Sequence, residues 1–305
     1  MHEYLRSKSM KTQAIFWILI CKFSFVVMMV IVKAQSSYPT LQLNFLRSLL
    51  VMVAVAPLLL RHGMKGFQTK KPGNQLYRVV FGMAAMICMF YAYRVLTLSK
   101  ASALEFSYGL VLPVMAMFFL KEKIQTNRWF SLILGYVGVW LIIDPVYERL
   151  EFGELIMLIS VLLKSASSIH LKKLTDTDAP LLSVFYSGLA TVTCLGIYFL
   201  AIPYFPAAQN LFWAAWHPVN VEGAWWILLM GVCSFIAQYS YIQAFRRGQL
   251  NFLSGFEYLK IIFSTIFGIL IFAQTPSWQT IMGGFIILVS SYFIARKEVK
   301  ESVEI

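Results

Sequence analysis

Residues 12–32 read TQAIFWILICKFSFVVMMVIV, with a single charge, Lys22, at the centre of the run. At about 1.5 Å per residue, a helix of this length crosses the roughly 30 Å of a bilayer's hydrocarbon core. Arg6, Lys8 and Lys11 before it and Val32-Lys33-Ala34 at its end loosely imitate a cleavable signal peptide. The run is longer than the apolar core of such a peptide and has a counterpart later in the chain, so it reads as a first transmembrane span.

Similar runs follow to the end of the sequence. Apolar stretches and their flanks predict an all-α membrane protein with ten spans, near residues 12–32, 41–60, 76–98, 101–120, 128–143, 153–174, 179–201, 224–245, 250–273 and 278–295. Composition agrees: 59% of the 305 residues are hydrophobic and 13% charged, where soluble domains have about 45–50% and 25%. The net charge of +12 comes from short basic clusters between the runs, not from one face or tail, so no nucleic-acid partner is expected. Cys21, Cys88, Cys194 and Cys233 stand singly inside apolar runs, without spacing that suits a metal or a redox pair. No cofactor is expected.

Short loops rich in lysine and arginine stay cytoplasmic. With the N-terminus inside, the inner segments hold Arg6, Lys8, Lys11, Arg61, Lys65, Lys70, Lys71, Lys121, Lys123, Arg128, Lys172, Lys173, Arg246, Arg247, Arg296, Lys297 and Lys300. The outer segments hold only Lys33, Lys100 and Arg149. This asymmetry predicts cytoplasmic termini. The longest outer loop, 202–223, has no lysine or arginine and carries Pro203, Pro206, Trp213, Trp216 and Pro218, the pattern of an interfacial aromatic segment.

The chain also resembles itself. A shift of 152 residues lays Ala92-Tyr93-Arg94 on Ala244-Phe245-Arg246, Ser102 on Ser254 and Glu105-Phe106 on Glu257-Tyr258; a shift of 142 lays Lys22 on Lys164. Two five-span repeats follow, residues 1–147 and 148–297, with a cytoplasmic tail at 298–305. Because five is odd, the second repeat enters the membrane from the opposite side, and a substrate site is expected near the midplane between the halves.

Lys22, Lys164 and Lys260 lie within spans, as do Arg47 and the acids Glu105 and Glu257. A lysine at mid-span costs about 2.5–3.5 kcal/mol even on the mildest insertion scale, so such residues normally face a partner or a wet cavity. The repeat-related lysines and glutamates are expected to face a central cavity. The alternative is ion pairs that lock span 1 to span 4 and span 6 to span 9. Lys260 shares a helix face with Glu257, and three lysines against two glutamates suit a substrate bearing a carboxylate or another anionic group. Helical spacing adds Ser168, one turn from Lys164, and Gln238, Tyr241 and Phe245 on one side of span 8, with Met86, Met89 and Tyr93 as their equivalents in span 3. The substrate-binding candidates are thus Lys22, Lys164, Glu105, Glu257, Lys260, Tyr241, Gln238 and Ser168. Arg47 is expected to reach towards phosphates or carbonyls at the outer surface.

Several motifs keep a characteristic order: Lys33 ahead of Ser37-Tyr38-Pro39, Phe45-Leu46-Arg47-Ser48, the stretch Ala92 to Glu122 ending Phe119-Leu120-Lys121-Glu122, Phe256-Glu257-Tyr258, Phe272-Ala273-Gln274-Thr275-Pro276, and Gly283-Gly284. In these the chain resembles the drug/metabolite transporter superfamily, and specifically its ten-helix EamA-type permeases. The resemblance implies an inverted-repeat secondary carrier in the inner (cytoplasmic) membrane, with a cavity lined mainly by spans 1, 3, 4, 6, 8 and 9. It implies a small organic metabolite as substrate, since relatives handle amino acids, S-adenosylmethionine, riboflavin, metallophores and nucleotide sugars, and the lysines favour the amino-acid-like, carboxylate-bearing ones, of the amino-acid, S-adenosylmethionine or metallophore class. A lipid bilayer, a homodimer and a coupling ion are the other expected partners, a proton being carried through Glu257 or Glu105. Gly109 stands where the family often has proline, with Pro113 one turn later, which is expected to move the kink of span 4, and Gln274 stands where an acid is usual.

No Gly-x-x-x-x-Gly-Lys-Ser/Thr loop occurs, so the energy source is expected to be a gradient. A channel or receptor without alternating access is the competing reading. A membrane-embedded enzyme would need a nucleophile with its base or a metal cluster, and His2, His62, His170 and His217 have no suitable neighbour spacing.

Overall fold

A computed structural model describes residues 2–61, 67–120, 126–143, 151–174, 177–204, 216–247, 259–286 and 289–290. Among these residues the secondary structure is helical, with no strand. The principal helices are α1 (His2–Ala34), α2 (Thr40–Leu60), α3 (Pro72–Val95), α4 (Leu98–Glu105), α5 (Tyr108–Leu120), α6 (Thr126–Ile143), α7 (Phe152–Leu174), α8 (Pro180–Ala201), α9 (Val221–Arg247) and α10 (Leu259–Phe272), and a further helix, α11, covers 278–286.

Among the described residues seven stretches are long and apolar enough to cross a membrane: Thr12–Ala34, Thr40–Leu60, Pro72–Val95, Leu98–Phe119, Phe152–Leu174, Pro180–Ala201 and Val221–Arg247. Their outward faces carry large apolar side chains such as Phe16, Phe118, Leu200 and Trp225. Such a surface is stable against lipid and not against water. The chain is a multi-pass membrane protein.

Proline sets several helix starts. Pro72 and Pro180 open α3 and α8 at the first turn, where the missing N–H costs nothing. Thr97 caps α4 by accepting from the Lys100 N–H at 3.3 Å. The predicted fourth span is two helices, not one, and it begins at Leu98 and not 101. The break falls at Phe106–Ser107, upstream of both Gly109 and Pro113. There the Ser107 hydroxyl donates to the Leu104 carbonyl at 2.5 Å and competes with the backbone ladder. Glu105 therefore ends a half-helix.

α1 packs chiefly along α9, α3 along α7 and α2 along α8, while α4 touches α7 and α10. Close crossings use glycine. A Cβ on Gly188 would come within 3.1 Å of the Ser48 carbonyl, and one on Gly231 within 2.7 Å of Leu50, which is how small residues let membrane helices approach. Two buried apolar clusters result, one around Met89, Phe90 and Leu104, the other around Ile18, Val161 and Phe245. A cavity touches both, lined by Met28 and Met89 of the first and Val51 and Leu171 of the second, with polar side chains set in a largely apolar wall.

Candidate functional site

The cavity encloses about 160 Å³. α1 contributes Cys21, Lys22, Phe25 and Met28, α2 contributes Arg47, Ser48 and Val51, and α3 contributes Met83, Met86 and Met89. The far wall comes from Lys164, Ser167 and Ser168 of α7, Ser187 and Thr191 of α8, Ser234, Gln238 and Tyr241 of α9, and Lys260 of α10. Lys22, Lys164, Lys260, Ser168, Gln238 and Tyr241, all expected at the site, therefore share one wall surface. Glu257 lies outside the described residues.

Glu105 behaves differently from expectation. It is fully buried and is absent from the cavity wall, lying behind two of the lysines. Its Oε1 accepts from Lys164 Nζ at 2.6 Å and also from Lys260 Nζ. Its Oε2 accepts from the Tyr93 hydroxyl at 2.8 Å, which is itself 2.9 Å from Ser102 Oγ. Tyr93, expected on the cavity wall, instead holds this carboxylate. The ion pairs join α4 to α7 and to α10, so the described network crosses the expected pairing of span 1 with span 4 and span 6 with span 9. Ending α4 at Glu105 also brings both ammonium groups to the negative end of a helix dipole, a favourable place for cations.

Aromatic faces solvate the same lysines. Lys164 Nζ lies 4.6 Å from the Tyr108 ring centroid and 5.6 Å from that of Phe25, which Lys260 Nζ approaches to 4.7 Å. Lys22 is buried and its Nζ is 5.8 Å from the Tyr241 ring. Attraction of a cation by a ring face offsets part of the cost of leaving water. A hydroxyl triangle completes this end of the cavity: Tyr108 donates to Ser168 Oγ at 2.9 Å, the Tyr108 and Tyr241 hydroxyls are 2.7 Å apart, and Ser168 Oγ lies 3.0 Å from the Tyr241 hydroxyl.

Arg47 is a correction. It does not reach the outer surface. It is 4% exposed, lines the cavity, and lies 5.5 Å from the Phe90 ring. Its Nη1 donates to Ser234 Oγ at 2.7 Å and its Nη2 to Asn44 Oδ1 at 2.8 Å and Ser48 Oγ at 3.0 Å. Phe245, expected beside Tyr241 on the wall, stacks behind it at 4.2 Å between centroids. The expected lining spans gain α2 and α8 and lose the fourth.

Among the described residues no group of three His, Cys, Asp or Glu could hold a metal. His170 bonds Asn74 at 3.0 Å and stacks on Tyr77, away from the cavity wall. The chemistry available is recognition by charge, hydrogen bonds and aromatic faces.

A sequence profile of the EamA-like transporter family matches residues 12–144 and again residues 151–296. The chain belongs to the EamA-like transporter family. It is 24% identical to an S-adenosylmethionine uptake transporter of Rickettsia bellii, over 85% of this chain and 84% of that protein. It is 28% identical to an uncharacterized transporter of Helicobacter pylori, covering 91% and 93%, and 23% identical to a riboflavin transporter of Vibrio cholerae, covering 95% of each. A solved crystal structure at 15% identity superposes with a TM-score of 0.66, covering 95% of this chain and 98% of that one, a likeness of fold alone. This EamA-like protein is accordingly a small-molecule transporter, and family and relatives alike point away from an enzyme.

Proposed function

We propose that this chain is a ten-span secondary carrier, two inverted five-span halves at 1–147 and 148–297, that moves a small metabolite of net negative charge across the inner membrane by alternating access. The observation that carries the substrate class is the cavity's charge. Lys22, Lys164, Lys260 and Arg47 all line it, whereas Glu105, which bonds two of the lysines, lies off the wall. A sulfonium or other cation would enter against that excess, whereas a carboxylate would complete it. The volume of about 160 Å³, below the roughly 300–1,000 Å³ of sites for drug-sized ligands, favours a compact solute over a large flat one.

The helix packing supports inversion. Exchanging the halves turns α1 against α9 into α7 against α3, and turns α2 against α8 into itself; these are the three most extensive pairings. A cavity at such an interface suits rocking of one half against the other. A proton or other ion gradient would supply the energy.

Counterflow in proteoliposomes tests this reading. Vesicles preloaded with unlabelled solute would be given labelled glutamate, aspartate and succinate, with S-adenosylmethionine and riboflavin in parallel. The expected result is trans-accelerated entry of at least one anion. Entry of only the cation or the flavin would overturn the substrate class, and entry without trans-acceleration would favour a channel.

A further inference from the structure

Arg47 is held as a strut would be, except at one atom. Its two terminal nitrogens are engaged, but its Nε–H is buried and has no hydrogen-bond partner among the described residues. Every group that bonds it, Ser234, Asn44 and Ser48, is neutral. A buried guanidinium with an idle donor and no described counter-charge is costly, and the cost falls when an anion arrives in the cavity that Arg47 lines.

α9 carries a contact of this cation and a contact of Lys22. Ser234, which accepts from Arg47, and Tyr241, whose ring Lys22 approaches, are two turns apart on that helix. The separation is about 10 Å along the axis. Gln238 lies between them on the wall and donates to Ser234 Oγ at 3.0 Å. The cavity thus has two cationic ends, Arg47 at one and the Lys22–Lys164–Lys260 group at the other, with a polar amide between. We infer that Arg47 forms a second anion-binding pole, and that the carried solute is a short-chain acid with an anionic group at each end, of the dicarboxylate class. This rests on the anion-carrier reading above. A monoacid satisfies one pole, whereas a diacid of the right length satisfies both and uses the idle Nε–H.

The test is calorimetric titration of the purified full-length protein with succinate, glutarate and adipate, and with butyrate, pentanoate and hexanoate as monoacids of equal length. In the wild type one diacid should bind about tenfold or more tighter than its monoacid partner, the scale of one charge-assisted hydrogen bond. R47M should abolish that preference, bringing the diacid down to the affinity of its monoacid partner, and R47K should retain part of it. Equal binding of diacids and monoacids by the wild type would overturn the two-pole inference and leave the anion-carrier reading standing. So would a diacid preference that survives R47M. Should R47M fail to fold, the wild-type comparison of chain lengths decides alone. Binding of none of the six acids would overturn both.

Discussion

Lys164 Nζ donates to Glu105 Oε1 at 2.6 Å, and Lys260 donates to the same oxygen, so one buried carboxylate at the end of a half-helix serves two lysines of the cavity wall. Removing it takes that counter-charge from both. Glu105→Gln should cost about 3 kcal/mol of stability, as breaking a buried pair does. Adding Lys260→Met to that variant should recover part of the loss, so the two changes will be strongly non-additive. Thermal unfolding of the detergent-purified variants checks this; an unchanged midpoint for Glu105→Gln would show that the lysines do not depend on it.

The hydroxyl triangle predicts a smaller effect. Tyr108→Phe removes two hydrogen bonds but leaves Ser168 and Tyr241 3.0 Å apart and able to satisfy each other. The expected loss is about 1 kcal/mol, with the ring still beneath Lys164. A loss as large as that of Glu105→Gln would mean that the triangle, and not the carboxylate, organises this end of the cavity.

Glycine contacts give a paired comparison. A Cβ on Gly283 of α11 would lie 2.5 Å from the Gly138 carbonyl oxygen of α6, whereas one on Gly73 meets nothing within 4 Å. Gly283→Ala should therefore destabilise by about 1–3 kcal/mol, and Gly73→Ala should stay within about 0.5 kcal/mol of the wild type. Equal midpoints for the two variants would contradict the close α6–α11 approach.

One residue should improve on replacement. Ala273 ends α10 with φ +50°, and the Gln274 N–H closes the turn onto the Gly268 carbonyl at 3.0 Å. That left-handed position is the one glycine favours after a helix, so Ala273→Gly should raise stability by about 0.5–1 kcal/mol. A lowered midpoint would show that the backbone there is not left-handed.

Much of this was legible in the chain itself. The length of the apolar runs fixed most helices to within a few residues, because hydrocarbon thickness dictates span length. The mid-span lysines marked the cavity, because a charge at that depth needs a reason. What stayed hidden depended on side chains meeting across helices. The break after Glu105 follows from a serine hydroxyl reaching back to a carbonyl, which no periodicity reveals, and proline and glycine downstream drew attention to the wrong place. Arg47 was visible as a charge within a span, yet its distance from the surface suggested snorkelling, and only the crossing of α2 with α9 shows Ser234 waiting for it. Tyr108 had a signal that went unread: the same 152-residue shift that lays Glu105 on Glu257 also lays Tyr108 on Lys260. Arg78, in the predicted third span, was likewise passed over; it is buried and donates to the Ser183 carbonyl at 2.8 Å and to Ser187 Oγ at 3.0 Å.

The central claim, that a cluster of cations in the cavity selects the solute, is tested most directly by ligand-induced thermal stabilisation. Purified wild-type protein and a Lys22→Met/Lys260→Met variant would be melted against matched panels of anionic, neutral and cationic metabolites, since a ligand that binds only the folded state raises the midpoint. The account predicts that at least one anionic compound stabilises the wild type, that no cationic one does, and that the shift shrinks or vanishes in the variant. Stabilisation by cationic or neutral compounds alone, or an equal shift in the variant, would contradict it.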